Sequence, residues 1–385
     1  MNSLFANLPT SIFERMSLLA REHDAVNLGQ GFPDFGWPTD VIEQAATEVR
    51  QGWNQYPPMR GLPDLRQAVA DHYRHHQGLS IDPSEVTVTS GATEALAASL
   101  LALIAPGDEV VLIEPLYDAY LPLVRRAGGV PKFLRLEAPA WRLTDEALDA
   151  AFGPKTRLVV LNNPHNPAAV AFGADELRRL AERCIAHDVI AVCDEVWEHV
   201  LFDGRTHLPL IGMPGMRERT VKIGSAGKIF ALTGWKVGWA IAAPPLGEVI
   251  AKAHQYLTFV TPPNLQSAVA YGLRKDDGYF DAMRAELARA RARLVEGVHQ
   301  AGYATLPTQG TYFLTIDLRA SGIEDDDEAF CERAVREAGV AAIPMSAFYA
   351  SEPPRHLVRL CFAKGDATLD AGIERLARAR SLFRS

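Results

Sequence analysis

The chain has 385 residues, of which 48% are hydrophobic and 22% charged, and its formal net charge is −8 at pH 7. This length exceeds what one ordinary hydrophobic core supports, so we expect two domains. The negative charge argues against a protein that binds nucleic-acid phosphates, because such proteins carry clustered basic residues. The four cysteines show neither a C-x-x-C pair nor a ligand-like spacing, so no metal site and no disulfide framework are predicted.

The N-terminal sequence shows no pattern of export or membrane insertion. It lacks the basic region followed by an apolar core that is typical of a signal peptide. No apolar run approaches the roughly 18 residues that span a bilayer. We therefore expect a soluble protein of the cytoplasm.

The first 61 residues predict a short helix and two loops. The helical spacing is carried by Ile12, Met16 and Leu19. Residues 27–36, NLGQGFPDFG, contain three glycines and a proline. Such a loop either lets the backbone approach a ligand or simply connects two elements. Residues 53–61 form a second loop, which contains Tyr56 and precedes a helix predicted over residues 63–75.

The segment that follows residue 85 combines a strand with the start of a helix. Val86–Thr89 is strand-like, and Ser90-Gly-Ala-Thr93 opens a helix that runs to Leu103. Free backbone N–H groups and the positive end of the helix dipole would meet an anion there. An ordinary serine or threonine helix cap explains the same residues equally well.

Several short apolar runs then alternate with helical patterns. These runs are residues 109–113, 158–161, 189–193, 221–223 and 237–242. Because they are continuously apolar, both faces of each strand are expected to be buried, as in a largely parallel sheet between helices. A helix over residues 174–187 is the clearest crossover connection.

Polar residues collect just after three of these strands. They are Asn162, Asn163 and Asn166 after the second run, Asp194 and Glu195 after the third, and Ser225 and Lys228 after the fourth. In open α/β sheets, ligands bind beyond the carboxyl ends of the strands. The sequence therefore predicts a ligand site at this edge of the sheet.

The C-terminal third predicts a second, smaller domain. Residues 264–300 have a helical pattern, and further strands and helices follow. These are strands at 311–318, 340–343 and 356–361, a helix at 327–337 and a final helix from Asp366. This mixture indicates an α+β domain.

Lys228 lies in a Ser/Gly-rich turn, and a second cation, Lys236, follows eight residues later. The amine of Lys228 can form an imine with an aldehyde, while the Ser225 hydroxyl and Lys236 can hold a phosphate. This combination suggests pyridoxal 5′-phosphate (PLP), whose sites pair a lysine with an acidic partner for the pyridinium nitrogen. The alternative is a surface lysine beside a turn.

Three other polar residues fit the same chemistry. Asp194 either faces the pyridine nitrogen or is a paired or capping acid. Asn166 lies in a turn whose peptide bonds 163–164 and 166–167 are candidates for the cis form. Arg359 lies between apolar strand residues and needs an anion, which is either a substrate carboxylate or an internal ion-pair partner.

Other catalytic motifs are missing from the sequence. Gly224-Ser-Ala-Gly227 has the wrong spacing for a G-x-S-x-G nucleophile turn. H-E-x-x-H, Walker A and complete G-x-G-x-x-G motifs do not occur.

Over nearly its whole length the chain resembles the class I/II aminotransferases, which are fold-type I PLP enzymes, and within them the kynurenine–glutamine/methionine branch. The matching stretches are residues 27–35, 55–65, 89–96, 114–120, 163–167, 194–204, 225–238 and 359–364. The resemblance implies an α/β fold: a large PLP-binding domain with a mostly parallel seven-stranded sheet, and a smaller α+β domain formed from both chain ends. The implied boundaries are 1–45 for a segment joining the small domain, 46–285 for the large domain and 286–385 for the small one.

The resemblance also implies a role for each matching residue. Lys228 would be the Schiff-base lysine and Asp194 the partner of the pyridine nitrogen. The other implied cofactor contacts are Gly91, Ala92, Thr93, Tyr117, Asn166, Trp197, Ser225, Lys236 and, from the neighbouring subunit, Tyr56. The implied substrate contacts are Gly31, Asn166, Tyr312, Arg359 and, from the partner, Phe259. A homodimer with shared active sites follows from the two partner residues.

The sequence departs from the family pattern at two positions. Trp197 stands where the family usually has tyrosine, and an indole N–H can donate a hydrogen bond but cannot accept one. Ala169 stands where a glycine commonly closes the N-P-x-N-P-x-G turn.

The function expected from the resemblance is transamination between an L-amino acid and a 2-oxo acid by a ping-pong mechanism. The donor expected is a large apolar or aromatic amino acid, methionine, or a kynurenine- or glutamine-like compound. Three alternatives stay open at this point: a cysteine-conjugate or cystathionine β-lyase, an N-succinyldiaminopimelate aminotransferase, and a non-catalytic binding protein with an aminotransferase-like body.

Overall fold

A computed structural model describes residues 3–383. Its strands are β1 Val26–Asn27, β2 Val86–Thr89, β3 Glu109–Glu114, β4 Val130–Arg135, β5 Thr156–Asn162, β6 Ile190–Asp194, β7 Thr220–Ser225, β8 Gly238–Ile241, β9 Ala304–Thr305, β10 Phe313–Asp317, β11 Val340–Ala341, β12 Ile343–Pro344 and β13 Leu357–Cys361. Its α-helices are α1 Ser3–Ala6, α2 Ile12–Glu22, α3 Thr39–Gln51, α4 Pro63–Gln77, α5 Gly91–Leu103, α6 Tyr120–Arg126, α7 Asp145–Ala151, α8 Ala174–Ala186, α9 Ala226–Ile229, α10 Pro244–Leu257, α11 Pro263–Leu273, α12 Asp277–Gln300, α13 Asp327–Arg333 and α14 Asp366–Leu382.

A seven-stranded sheet forms the centre of the larger part of the molecule, with strand order β2-β8-β7-β6-β5-β3-β4. β8 is antiparallel to both of its neighbours, and the remaining pairs are parallel. Helices cover both faces. On β5, Leu158 and Val160 pack in the core that contains α5, whereas Val159 and Leu161 pack in the core that contains α8. The predicted α/β fold with a mostly parallel seven-stranded sheet is confirmed.

The register of this sheet places three strand ends side by side. Asn162, the last residue of β5, lies opposite Asp194, the last residue of β6. Asp194 in turn lies opposite Ile223 in β7, two residues before that strand ends at Ser225. The polar residues after these strands therefore share one edge of the sheet.

A four-stranded antiparallel sheet, in the order β12-β13-β10-β9, organises the C-terminal part. Arg359 lies in the middle of β13, opposite Thr315 on β10 and Ile343 on β12. The N-terminal segment joins this part, because Val26 in β1 pairs in parallel with Val340 in β11.

Some elements differ from those predicted from the sequence. The helical region 264–300 is two helices, because Asp276 caps α12 by accepting a hydrogen bond from the N–H of Tyr279. The predicted strand 340–343 divides between two sheets as β11 and β12. The edge strand β4 had no clear apolar signal, since it pairs with β3 alone and contains Pro131 and Lys132. α10, which begins at two prolines, was also missed.

Membrane insertion finds no support in these elements. Over residues 3–383, no helix combines the length and the apolar character that a bilayer crossing requires.

Candidate active site

A cavity of about 450 Å³ opens where the strand ends of the large sheet meet the C-terminal part. Most of the residues predicted from the sequence line it. They are Gly31, Gly91, Ala92, Thr93, Tyr117, Asn166, Asp194, Trp197, Ser225, Lys228, Lys236 and Arg359. Residues separated by more than 300 positions thus meet at one site.

Three predicted residues lie outside this lining. Tyr312 is buried beneath Lys228 and contacts it directly. Tyr56 is 77% exposed and packs edge-to-face against Phe259, which is 41% exposed, with ring centroids 5.5 Å apart. The resemblance to the family places Tyr56 and Phe259 in the site of a neighbouring subunit, so a single chain does not test their roles.

Lys228 lies on the short helix α9, directly after β7. The Ser225 hydroxyl caps this turn by accepting a hydrogen bond from the N–H of Gly227 at 3.2 Å. The Lys228 Nζ donates to the Tyr312 hydroxyl at 3.1 Å and lies 4.7 Å from the centre of the Trp197 ring. Burial lowers the pKa of Lys228 to about 8. About a tenth of the amine is therefore neutral at pH 7, far more than for an ordinary lysine, and the neutral form is the one that acts as nucleophile or base.

Asp194, at the end of β6, has a buried carboxyl group in which only one oxygen accepts a hydrogen bond from the described residues. Its Oδ2 accepts a hydrogen bond from the Tyr120 hydroxyl at 2.7 Å. Its Oδ1 is buried and has no hydrogen-bond partner among residues 3–383. Burial raises the pKa of Asp194, against the opposing effects of the Tyr120 hydrogen bond, of the nearby Val196 N–H, which lies outside hydrogen-bond geometry, and of Lys228. Because an unpaired buried oxygen is costly, this carboxyl group fits a ligand that brings a donor to Oδ1.

Arg359 is 1% exposed and has no carboxylate within ion-pair distance in the described part of the chain. Its Nη1 donates to Asn166 Oδ1 at 2.8 Å and its Nη2 to the Gly29 carbonyl at 3.2 Å, while Nε is without a partner over residues 3–383. Burial lowers the pKa of Arg359 to about 10. Of the two anions considered from the sequence, an internal one is therefore not found, and an anionic ligand would complete the site.

The N-terminus of α5 provides an anion-binding end to the cavity. Gly91 begins this helix with a φ of +73°, and a β-carbon there would lie 3.2 Å from the Lys236 Nζ. A β-carbon on Gly238 would come within 2.7 Å of the Gly91 backbone, so glycine at 238 lets β8 lie against the start of the helix. The Lys236 ammonium makes no hydrogen bond or ion pair within the part of the chain that the structure describes. Helix dipole, free N–H groups and a lysine thus converge on one point.

The turn that carries Asn166 is held by side chains from the strand before it. Both bonds flagged from the sequence, 163–164 and 166–167, are cis. The N–H of Asn166 donates to Asn162 Oδ1 at 2.6 Å. Since its own Oδ1 accepts from Arg359, the Asn166 amide nitrogen is the group left to donate to a ligand. Ala169 adopts a φ of +58°, a conformation that favours the glycine commonly found at this position.

Several residues of the lining were not predicted from the sequence, and three of them contact or add to its polar groups. Tyr120 bonds to Asp194, Asp118 adds a second carboxyl group to the lining, and Phe313 lies 3.9 Å from the Arg359 guanidinium. Nothing in the stretch Tyr117-Asp-Ala-Tyr120 points to a partner 74 residues away. Only the fold brings the start of α6 against the end of β6.

Comparisons with known proteins agree with this geometry. Residues 23–376 match the family described as Aminotransferase class I and II. The chain is 44% identical over 380 residues to the probable N-succinyldiaminopimelate aminotransferase of Mycobacterium tuberculosis, with 96% of each chain covered. It is 42% identical over 375 residues to the methionine aminotransferase of Escherichia coli, with 97% of each covered.

A solved structure shows the same fold. The N-succinyldiaminopimelate aminotransferase of M. tuberculosis superposes with a TM-score of 0.95 at 44% identity, over 98% of this chain and 100% of that one. The family predicted from the sequence motifs is therefore confirmed, and the chain belongs to the class I and II aminotransferases.

Proposed function

We propose that this aminotransferase uses PLP to transfer the amino group of an L-amino acid with an uncharged side chain to a 2-oxo acid. One observation carries the proposal. One cavity is lined by Lys228, by Asp194 and by Arg359, and over residues 3–383 Asp194 Oδ1 has no hydrogen-bond partner and Arg359 has no carboxylate partner. A base, a hydrogen-bond acceptor and a cation are therefore available to one ligand.

The residues present fit PLP group by group. Asp194 Oδ1 needs a donor, which a protonated pyridine nitrogen supplies. The unpaired Lys236 and the N-terminus of α5 suit a phosphate, together with the Ser225 hydroxyl. The Asn166 amide and the Trp197 indole would lie beside the phenolic oxygen, and Tyr117 would cover the ring.

PLP, when bound, withdraws electrons from the bonds to the substrate Cα and so makes its proton acidic. The Lys228 Nζ takes this proton as a neutral amine and can return it, which is general acid–base catalysis by one group. Arg359 holds the α-carboxylate through its fork of N–H donors. This hold fixes the Cα–H bond relative to Lys228.

The charges around the cavity support a neutral donor side chain. The lysines and arginine in its lining are Lys228, Lys236 and Arg359, and its acids are Asp118 and Asp194. Each cation already has a role in the proposal, whereas Asp118 has none. A carboxylate on the donor side chain would therefore meet a second acid, Asp118, and no further cation among the lining residues that the structure describes. Aromatic residues of the lining, Phe13 and Phe32 among them, suit apolar side chains instead.

A panel of amino donors tests this proposal. L-Methionine and L-phenylalanine should give at least about tenfold higher kcat/KM than L-glutamate or N-succinyl-L,L-diaminopimelate with the same 2-oxo acid. Replacing Asp118 with Asn should reduce the difference in kcat/KM between L-methionine and L-glutamate. Equal or higher activity with the anionic donors would contradict the neutral pocket, while no activity with any donor would contradict transamination by this site.

A homodimer with shared active sites forms part of the proposal. Tyr56 and Phe259 lie on the surface near each other in a single chain, and Tyr256 and Trp53 are also largely exposed, at 85% and 75%. Exposed aromatic groups of this kind are typical of subunit interfaces. Sedimentation velocity should give a dimer, and Tyr56→Phe should weaken PLP binding if Tyr56 reaches the partner's phosphate.

The domain boundaries and the location of the protein are also proposals. We propose a large domain over residues 46–285 and a small domain made of residues 1–45 and 286–385, which is supported by the pairing of β1 with β11.

A cytoplasmic location is supported by the four cysteines, all buried and unpaired.

A further inference from the structure

The amine of Lys228, a half-buried lysine, has aromatic side chains as its recorded contacts. Over residues 3–383 it forms no ion pair, and its one hydrogen bond is to the Tyr312 hydroxyl at 3.1 Å. Its other close neighbours are two aromatic rings, Trp197 at 4.7 Å and Tyr312 at 5.5 Å. The recorded contacts of this amine are therefore with aromatic side chains, and no carboxylate of residues 3–383 lies within ion-pair distance of it.

The Tyr312 hydroxyl uses its single proton in a hydrogen bond to the backbone. It donates to the Gly31 carbonyl at 2.7 Å, so only its lone pairs are available to Lys228. Lys228 must therefore donate to Tyr312 in either protonation state. When the amine is neutral, its own lone pair then points away from Tyr312.

The ring of Trp197 is the second group that contacts the Lys228 amine. Its ring is perpendicular to that of Tyr312, with centroids 4.4 Å apart, and it also packs edge-on against Phe313 at 5.5 Å. It is 3% exposed, so its orientation is set by packing. The face of a tryptophan ring attracts an ammonium group, and it does so without supplying a proton acceptor.

We propose that Tyr312 and Trp197 are positioning residues for Lys228, which together hold its free amine at one point with the lone pair directed away from Tyr312 and toward the cavity. The proposal rests on the proposed function for its catalytic meaning. Trp197, which departs from the family pattern, thus has a role of its own: it supplies a ring face to the lysine.

The direction of the expected effect follows from the charges involved. An ammonium donates a stronger hydrogen bond and a stronger cation–π contact than a neutral amine, so both neighbours favour the protonated form. The charged and titratable groups that also act on Lys228 are Cys361, Asp194, Arg359 and Lys236. Substitutions of Tyr312 and Trp197 leave all four in place.

The test measures the reactivity of Lys228 in the full-length protein without PLP. Trace acetylation between pH 6 and pH 11, followed by peptide mass spectrometry, gives the titration midpoint of Lys228, with exposed Lys155 as an internal reference. Tyr312→Phe should lower the midpoint by about one pH unit, because the hydrogen-bond acceptor is lost. Trp197→Leu should lower it as well, whereas Trp197→Phe, which keeps a ring face, should shift it by less than half as much.

Tyr303→Phe is the matched control, since the Tyr303 hydroxyl is also buried and donates to a backbone carbonyl, that of Leu376, away from the cavity. It should leave the Lys228 midpoint unchanged. With PLP and L-methionine, Tyr312→Phe should lower kcat about tenfold and change KM less than twofold, because positioning acts on the proton transfer.

A Lys228 midpoint unmoved in both Tyr312→Phe and Trp197→Leu would overturn the proposal, and so would an unchanged kcat in Tyr312→Phe. Added PLP should protect Lys228 from acetylation. Failure of that protection contradicts the proposed function alone, since the midpoints in the PLP-free protein do not depend on it.

Discussion

Two lysines six residues apart, the fully buried Lys222 and the half-buried Lys228, have opposite environments in this fold. Lys222 on β7 bonds to Glu195 and, at 2.8 Å, to Glu198, and it lies 4.5 Å from the ring of Tyr73. These two carboxylates outweigh burial and raise the pKa of Lys222, whereas burial lowers the pKa of Lys228 to about 8. Lys222 is thus held as a permanent cation in a structural network, and Lys228 is left available for chemistry.

The acids beside these lysines show the same contrast. Glu195 follows Asp194 directly, yet Lys222 and His207 overcome its burial and lower its pKa to about 2, while burial raises the pKa of Asp194. Glu195 bonds through both oxygens, to His207 at 3.0 Å and to the N–H of Leu210 at 3.3 Å, but Asp194 keeps Oδ1 without a partner in the described residues. Of these two neighbouring acids, the one with incomplete hydrogen bonding is the one that lines the cavity.

The largest expected effect comes from Lys228→Ala. It should lower kcat for L-methionine by at least about 10³-fold, because the proton-transferring group is removed. The free energy of unfolding should hardly change, since the lost amine forms no ion pair with any residue from 3 to 383. Steady-state kinetics and thermal unfolding measure the two quantities, and near wild-type turnover would refute the assignment.

Lys222→Met should instead act mainly on stability. It leaves Glu195 and Glu198 buried without their cation, so the free energy of unfolding should fall by about 3–5 kcal/mol. Lys228→Met is the control and should cost less than about 1 kcal/mol in the same urea titration. Equal losses of unfolding free energy in Lys222→Met and Lys228→Met would contradict the assignment of Lys222 to structure and of Lys228 to chemistry.

Arg359→Lys tests whether the unpaired arginine binds the substrate carboxylate. Because lysine cannot bind a carboxylate bidentately, kcat/KM should fall by about 10²-fold, mainly through KM. Arg291→Lys is the matched control, since Arg291 pairs with Asp203 outside the cavity. An unchanged KM for the amino donor in Arg359→Lys would contradict the role.

The two neighbouring acids should respond in opposite ways to pH. Glu195 has a depressed pKa, so its stabilising contribution is present above about pH 4.5 and is lost as the pH falls toward 2. Glu195→Gln should therefore remove about 2–3 kcal/mol of the acid-induced loss of stability. Asp194 has a raised pKa and gains stability on protonation, so Asp194→Asn should make the acid-induced loss steeper. Urea titrations from pH 7 to pH 3 give the dependence of the unfolding free energy on pH for each variant. If both substitutions changed the slope of this dependence in the same direction relative to the wild type, the contrast would be contradicted.

The sequence predicted the central sheet and the polar residues at the ends of β5, β6 and β7, because apolar strands followed by polar residues are a local pattern. It predicted Lys228 and Asp194 at adjacent strand ends for the same reason. Other residues of the lining, such as Tyr117 and Trp197, were implied only by the resemblance to the family. The pairing of Lys222 with Glu195 and Glu198 was not predictable, since Lys222 stands inside an apolar strand with nothing local to show its partners. Likewise, the contacts of Tyr120 with Asp194 and of Tyr312 with Lys228 depend on how distant elements pack.

The most direct measurement locates PLP on the chain. The purified protein, incubated with PLP and reduced with borohydride, is digested and mapped by mass spectrometry. The mass of reduced PLP is expected on Lys228 and not on Lys222 or Lys236. Its absence from Lys228, or its presence on another lysine at comparable yield, would contradict the account.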